Sequence, residues 1–233
     1  MGPLALDRAF EQRGGRVAHV RSTTTAAGDL SVLRPGPDLD ARRRAVAPAP
    51  WTWLRQAHGP AVVAVSVPGE HAGAEADAAV TAVPGAVLAV HTADCAPIAL
   101  VSAEGPVGAV HAGWRGLAGG VIEATVAALR SAGAGDLRAL VGPCIHPSCY
   151  EFGKDALDEV VAAVGEEARG TTADGRPALD LPAAVVATLR RAGVDDVEGP
   201  SACTACDADG RFFSHRARAD AGRQATLVWV EGP

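Results

Sequence analysis

Short apolar runs, each closed by a turn residue and separated by helical stripes, set the rhythm of this chain. Ala86 to Val90, Ile98 to Val101, Val107 to Val110, Leu137 to Val141 and Ala225 to Val230 are each apolar almost throughout. Runs of this length, rich in valine and bounded by Gly, Pro or Asp, predict buried strands. Between them, Val121, Ile122, Thr125, Val126 and Leu129 repeat with helical spacing and are closed by Gly133, which predicts an amphipathic helix. Leu157, Val160, Val161 and Val164 mark a second helix. Val185, Val186 and Leu189 mark a third, with Asp180 as its N-cap and Arg190, Arg191 and Gly193 at its C-terminal end.

Upstream the pattern is weaker. Trp53 to His58 reads as a strand, Gly59-Pro60 as a turn and Ala61 to Val67 as the returning strand, which puts His58 at a strand end. Pro97 predicts a bend ahead of Ile98, because proline interrupts a central ladder. Residues 1–50 show little periodicity, and Arg42-Arg43-Arg44 reads as a solvated helix face. Strands and helices intermix throughout. The expected class is mixed α/β, with mixed β-sheets and packed helices in a single domain over residues 1–233.

Composition narrows the function. Lys plus Arg number 21 against 27 Asp plus Glu, a net charge of −6 that argues against nucleic acid as a partner. No apolar stretch approaches the roughly 20 residues of a membrane span, and no basic-then-apolar leader opens the chain, so we expect a cytoplasmic protein. Five cysteines in such a chain point to thiols or metal ligands, not a disulfide framework. Oligomeric state is not readable from the sequence.

Candidate chemistry gathers at the strand ends. His58, Cys95 and His111 each follow a strand-like run beside Gly or Pro, so all three could project into one cleft. Two imidazoles and a thiolate form a three-ligand zinc site with an open position suited to activating water. Asp94 could orient one imidazole. The same atoms allow a cysteine hydrolase, with Cys95 as nucleophile, His111 as base and Asp94 as orienter. Buried cysteine with hydrogen-bonded histidines is the plain structural reading.

Two further groups stand out. Cys203-x-x-Cys206 with Cys144 and Cys149 has the look of a four-cysteine zinc site, although free thiols account for it as well. Phe212-Phe213-Ser214-His215-Arg216 could form a ligand wall in which Arg216 grips an anion, and Arg115 beside Trp114 is a similar candidate. His19, His71 and His146 lack such context.

Taken in order, several segments resemble the YfiH-like "laccase domain" family. They are Gln56-Ala57-His58-Gly59, Ala76-Asp77-Ala78, Thr92-Ala93-Asp94-Cys95-Ala96-Pro97 and His111-Ala112-Gly113-Trp114-Arg115-Gly116. Gly142-Pro143-Cys144-Ile145, Cys149-Tyr150-Glu151-Phe152-Gly153, Cys203-Thr204 and Phe213-Ser214-His215-Arg216 follow. The resemblance spans residues 50–230. It implies a zinc ion, or less readily copper, on His58, Cys95 and His111. It also implies phosphorolysis of adenosine, inosine, guanosine and 5′-methylthioadenosine, and deamination of adenosine. Nucleoside and phosphate are the expected partners, with Arg115 and Arg216 our candidates for binding substrate.

Two segments depart from the family pattern. Where members carry Arg-Gly-Gly-x-Ser, this chain reads Thr23-Thr24-Thr25-Ala26-Ala27-Gly28-Asp29-Leu30, and the usual paired arginines are Arg216-Ala217-Arg218. Copper-dependent polyphenol oxidation and editing of peptidoglycan precursors are the competing activities attached to the same family.

Overall fold

The computed structural model describes residues 2–32, 35–48, 50–200 and 202–233. Strands β1 (Leu4–Gln12) and β2 (Arg16–Thr23) lead into helix α1 (Leu39–Val46) and strand β3 (Trp51–Trp53). Strands β4 (Val62–Val65), β5 (Ala78–Thr81), β6 (Val87–Thr92), β7 (Ala96–Ser102) and β8 (Val107–Ala112) precede helices α2 (Trp114–Ala118) and α3 (Val121–Ser131). Then come β9 (Leu137–Val141), α4 (Lys154–Val164), β10 (Arg169–Thr171) and β11 (Pro177–Leu179). The chain closes with α5 (Leu181–Arg191), β12 (Asp196–Glu198), α6 (His215–Arg218) and β13 (Gln224–Glu231).

A five-stranded sheet, ordered β1-β2-β13-β6-β3, packs against a six-stranded sheet, ordered β12-β9-β7-β8-β5-β4, while β10 and β11 form a separate ribbon. Both larger sheets are mixed: β3 runs parallel to β6, β4 to β5 and β12 to β9. Alternation along each strand divides the core. Leu88, Val90, Val228 and Val230 of the first sheet meet Ala99, Val101, Ala109 and Leu140 of the second. The intervening Val87, Ala89, Leu227 and Trp229 face the other way and pack under Leu39 and Val46 of α1.

On the far face of the six-stranded sheet, Ile98, Leu100 and Val110 pack against Ile122 and Leu129 of α3, Leu157 and Val160 of α4, and Val185 and Leu189 of α5. Each such fully buried aliphatic side chain contributes about 1.5–3 kcal/mol. Because the inner strands are covered on both faces, they read in sequence as uninterrupted apolar runs. The three long helices appear where their stripes place them. Asp180 caps α5, its carboxylate accepting the Ala183 N–H at 2.9 Å.

Four expectations need correction. Residues 4–23 are an ordered antiparallel hairpin, and β2 pairs with β13. Only one face of that hairpin is covered, so its exposed positions tolerate Asp, Arg and Glu and its periodicity is diluted. Trp53 to His58 does not form one arm of a hairpin: the strand ends at Trp53, and β4 lies in the other sheet.

Pro97 lies inside β7, opposite His111 of β8. The His111 N–H turns the other way, to the Asp77 carbonyl at 2.7 Å, so β8 asks no donor of Pro97. The run Arg42–Arg44 is helical, but Arg43 is not merely solvated: its guanidinium lies 5.6 Å from the Trp51 ring and 5.7 Å from the Trp53 ring.

Candidate active site

Two chain segments cross from the five-stranded to the six-stranded sheet, and both deliver a metal-ligating side chain to the same place. One joins β3 to β4 and carries His58; the other is the turn between β6 and β7 and carries Cys95. His111 arrives near the end of β8. The His58 Nε2 lies 3.8 Å from Cys95 Sγ, and one ligand atom from each of His58, Cys95 and His111 lies within 4.8 Å of the others. The two imidazoles meet edge to face, with ring centroids 4.8 Å apart.

A glycine makes this approach possible. A Cβ built on Gly113 would stand 2.6 Å from His58 Cδ2 and 3.2 Å from Cys95 Sγ, closer than packed atoms allow. His58 itself adopts φ 60°, a left-handed conformation held by a carboxylate. Asp77, fully buried, accepts the N–H groups of Ala57, His58 and Gly59 at 3.1, 2.9 and 2.8 Å. It also accepts the Nδ1–H of His111 at 2.7 Å. This bond leaves His111 Nε2 as the ring nitrogen free for a ligand.

Charges reinforce the trio. Burial pushes the Cys95 thiol up, but the neighbouring His111 and His58 imidazoles outweigh it and bring the thiol down to about 6. Burial depresses His111, while the Cys95 thiolate and the Asp77 carboxylate overcome that and raise it to about 9. A thiolate and two imidazole nitrogens at this spacing are a donor set that fits zinc, whose N and S ligands stand roughly 3.5 Å apart in a tetrahedron.

Asp94 does not orient an imidazole. Its carboxylate accepts the Thr204 and Ser214 hydroxyls, each at 2.7 Å, and the Arg216 backbone N–H at 2.7 Å. These bonds hold Asp94 at φ 110°, strain on the order of 1–3 kcal/mol, and pin the 204–216 segment behind Cys95.

In front of the trio lies a cavity of about 320 Å³, lined by His58, Cys95, His111, His91, His215 and Arg223 with Gln56, Ser31 and Thr92. Arg115 and Arg216 are not among its lining residues. Arg115 is exposed, with its guanidinium 4.2 Å from the Trp114 ring. Arg216 lies 4.9 Å from the Tyr150 ring and lines a separate surface groove with Glu151 and Arg176. The expected aromatic wall is also divided, since Phe212 is buried in the protein.

His91, Arg223 and Asp77 were not singled out for these roles by sequence reasoning. His91 is buried within an apolar strand, and neither ring nitrogen has a hydrogen-bond partner. Burial, with the Arg43, His111 and Arg223 charges, drives its imidazole down to about 3, so it is neutral. A histidine in a strand that otherwise reads Val-Leu-Ala-Val was the available signal. The four cysteines outside the site divide as well: Cys149, Cys203 and Cys206 converge, while Cys144 is buried apart from that group.

Among the described residues, no helix is long and apolar enough to cross a membrane. Residues 39–231 match the protein family described as multi-copper polyphenol oxidoreductase laccase. The chain is 44% identical over 191 residues to a purine nucleoside phosphorylase of Xylella fastidiosa, covering 76% of this chain and 71% of that one. It is 41% identical over 207 residues to a purine nucleoside phosphorylase of Streptomyces coelicolor, covering 87% and 84%.

Among solved structures, YlmD from Geobacillus stearothermophilus superposes with a TM-score of 0.82 at 26% identity, over 97% of this chain and 100% of that one. The Bacillus licheniformis hypothetical protein YfiH gives 0.79 at 25% identity, over 91% and 92%. The family match over residues 39–231, these relatives and the mixed α/β architecture together place the chain in the YfiH-like laccase-domain family.

Proposed function

We propose that this protein is a zinc-dependent purine nucleoside phosphorylase that also deaminates adenosine. Its substrates on this reading are adenosine, inosine, guanosine and 5′-methylthioadenosine. One observation carries the reading: the His58–Cys95–His111 trio forms part of the wall of a cavity of about 320 Å³ that also presents neutral and cationic donors. That volume is at the lower end for small-molecule sites and suits a nucleoside better than a polymer. Relatives named purine nucleoside phosphorylase support the same substrate class.

His58, Cys95 and His111 would hold the ion. When bound, it would supply Lewis acidity to a substrate or water oxygen. Phosphorolysis breaks the bond from C1′ to the purine nitrogen, leaving the electron pair on the base, and forms a bond from C1′ to a phosphate oxygen. We assign phosphate binding to Arg223 and His215, which line the cavity, in preference to Arg115 and Arg216, which do not. The neutral His91 imidazole lines the same cavity, and one of its two unpartnered ring nitrogens would meet the purine edge. In deamination, a water oxygen adds at C6 and ammonia leaves. Burial of Asp77 against His111 keeps that imidazole aimed while charge shifts around it.

The test is adenosine turnover with and without phosphate, following adenine and inosine separately in zinc-loaded protein. Phosphate-dependent adenine release and phosphate-independent inosine formation are expected, both lost in Cys95→Ala. Failure to form either product would overturn the proposal. Copper retention with phenol oxidation would favour the family's oxidase description, although among the described residues just one candidate metal group contains histidine.

A further inference from the structure

The segment behind Asp94 carries a second set of converging ligands. Cys149 follows the turn after β9, whereas Cys203 and Cys206 lie on the loop after β12. The three sulfur atoms lie within 4.8 Å of one another, and all three cysteines are free thiols. Thiolates around a tetrahedral zinc stand about 3.8 Å apart, given Zn–S bonds near 2.3 Å, so modest side-chain rotation suffices. Cys144 marks the contrast: it is bridged to Cys203 through the backbone, yet its own thiol stays buried outside the group.

An independent feature points to a thiolate ligand. The backbone N–H of His146 donates to Cys203 Sγ at 3.3 Å. A backbone donor on the first sulfur of a Cys-x-x-Cys turn stabilises its negative charge, as a metal-binding knuckle requires. A disulfide would consume two of the sulfurs and leave the third facing it. Three mutually close sulfurs with Cys206 at the surface suit a cation better.

We propose that Cys149, Cys203 and Cys206 form a second zinc site, distinct from His58, Cys95 and His111. Binding would displace the thiol protons to solvent. The ion joins the 146–149 turn to the 203–206 loop. That loop places the Thr204 hydroxyl on Asp94, whose carboxylate also holds Ser214 and the Arg216 N–H. Its role is to hold the platform under Cys95, so it is a structural ion.

Zinc content of purified protein, measured in a Cys95→Ala background, separates this site from the first. We expect two equivalents in the unaltered protein, one in Cys95→Ala, and none in Cys95→Ala combined with Cys206→Ser or with Cys149→Ser. In Cys95→Ala, added zinc should raise the melting temperature, and the Cys206→Ser combination should abolish that rise while circular dichroism stays unchanged. Cobalt substitution should give a thiolate charge-transfer band that weakens with each cysteine removed. Any of three results would overturn the proposal: no zinc held by Cys95→Ala, a Cys203–Cys206 disulfide in the purified protein, or retention of copper(I) alone. Each leaves the nucleoside reading untouched, because Cys95 is already absent.

Discussion

Asp77 holds His111: its Oδ1 lies 2.7 Å from the imidazole Nδ1, and both side chains are buried. The same carboxylate gathers the N–H groups of Ala57, His58 and Gly59, so one residue positions two of the three candidate ligands. Asp77→Asn tests this without changing shape. Whichever way the amide turns, its NH₂ meets N–H donors on one side. We expect metal affinity to fall 10–100-fold and stability by about 2 kcal/mol, read by chelator competition and urea unfolding. Unchanged affinity would show that His111 does not depend on Asp77.

Gly113→Ala attacks the same centre by volume. Its methyl would stand 2.6 Å from His58 Cδ2, and His58, being exposed, is the side that yields. Metal affinity should drop at least tenfold with the melting temperature little altered. A crystal structure of the variant with His58 in place would contradict the close approach described here.

Metal-free protein should carry an ionised Cys95 at neutral pH. His111 and His58 overcome the burial that raises this thiol, and bring it down to about 6. The thiolate fraction therefore rises as pH passes upward through that value and falls below it. Alkylation of Cys95, followed by peptide mass spectrometry, should show its midpoint near pH 6. A midpoint near the ordinary thiol value of about 8.5 would show that the imidazoles do not stabilise the thiolate.

His91 provides a test of substrate contact apart from metal. Both its nitrogens lack partners inside the protein, and it lines the cavity while remaining neutral. His91→Phe keeps the ring and removes the polar edge. Nucleoside KM should rise by about tenfold, the equivalent of one hydrogen bond, with zinc content unchanged. An unchanged KM would place the base elsewhere.

Arg223→Gln and Arg216→Ala separate the two candidate anion sites. The first should raise the phosphate KM by roughly tenfold or more, because a charged hydrogen bond is lost. The second, in a separate groove, should leave it within about twofold. The reverse pattern would return phosphate to Arg216.

Much of this was written along the chain. The runs at Ala86 to Val90 and Leu137 to Val141, and the stripe from Val121 to Leu129, report local burial, which repeats with the period of the element that carries it. His58, Cys95 and His111 could be picked out because each interrupts or follows such a run. What distance in sequence hides is partnership. Asp77 is remote from His111 along the chain, and nothing local distinguishes it from Asp94, so only the pairing of β5 with β8 decided which carboxylate meets the imidazole. The N-terminal hairpin was obscured because just one of its faces is covered. The same limit applied to Arg216, whose direction follows from its N–H bond to Asp94 and its contact with Tyr150. Local pattern reports how deeply a residue is buried; which distant residue it then touches is set by how the two sheets and their crossing segments pack.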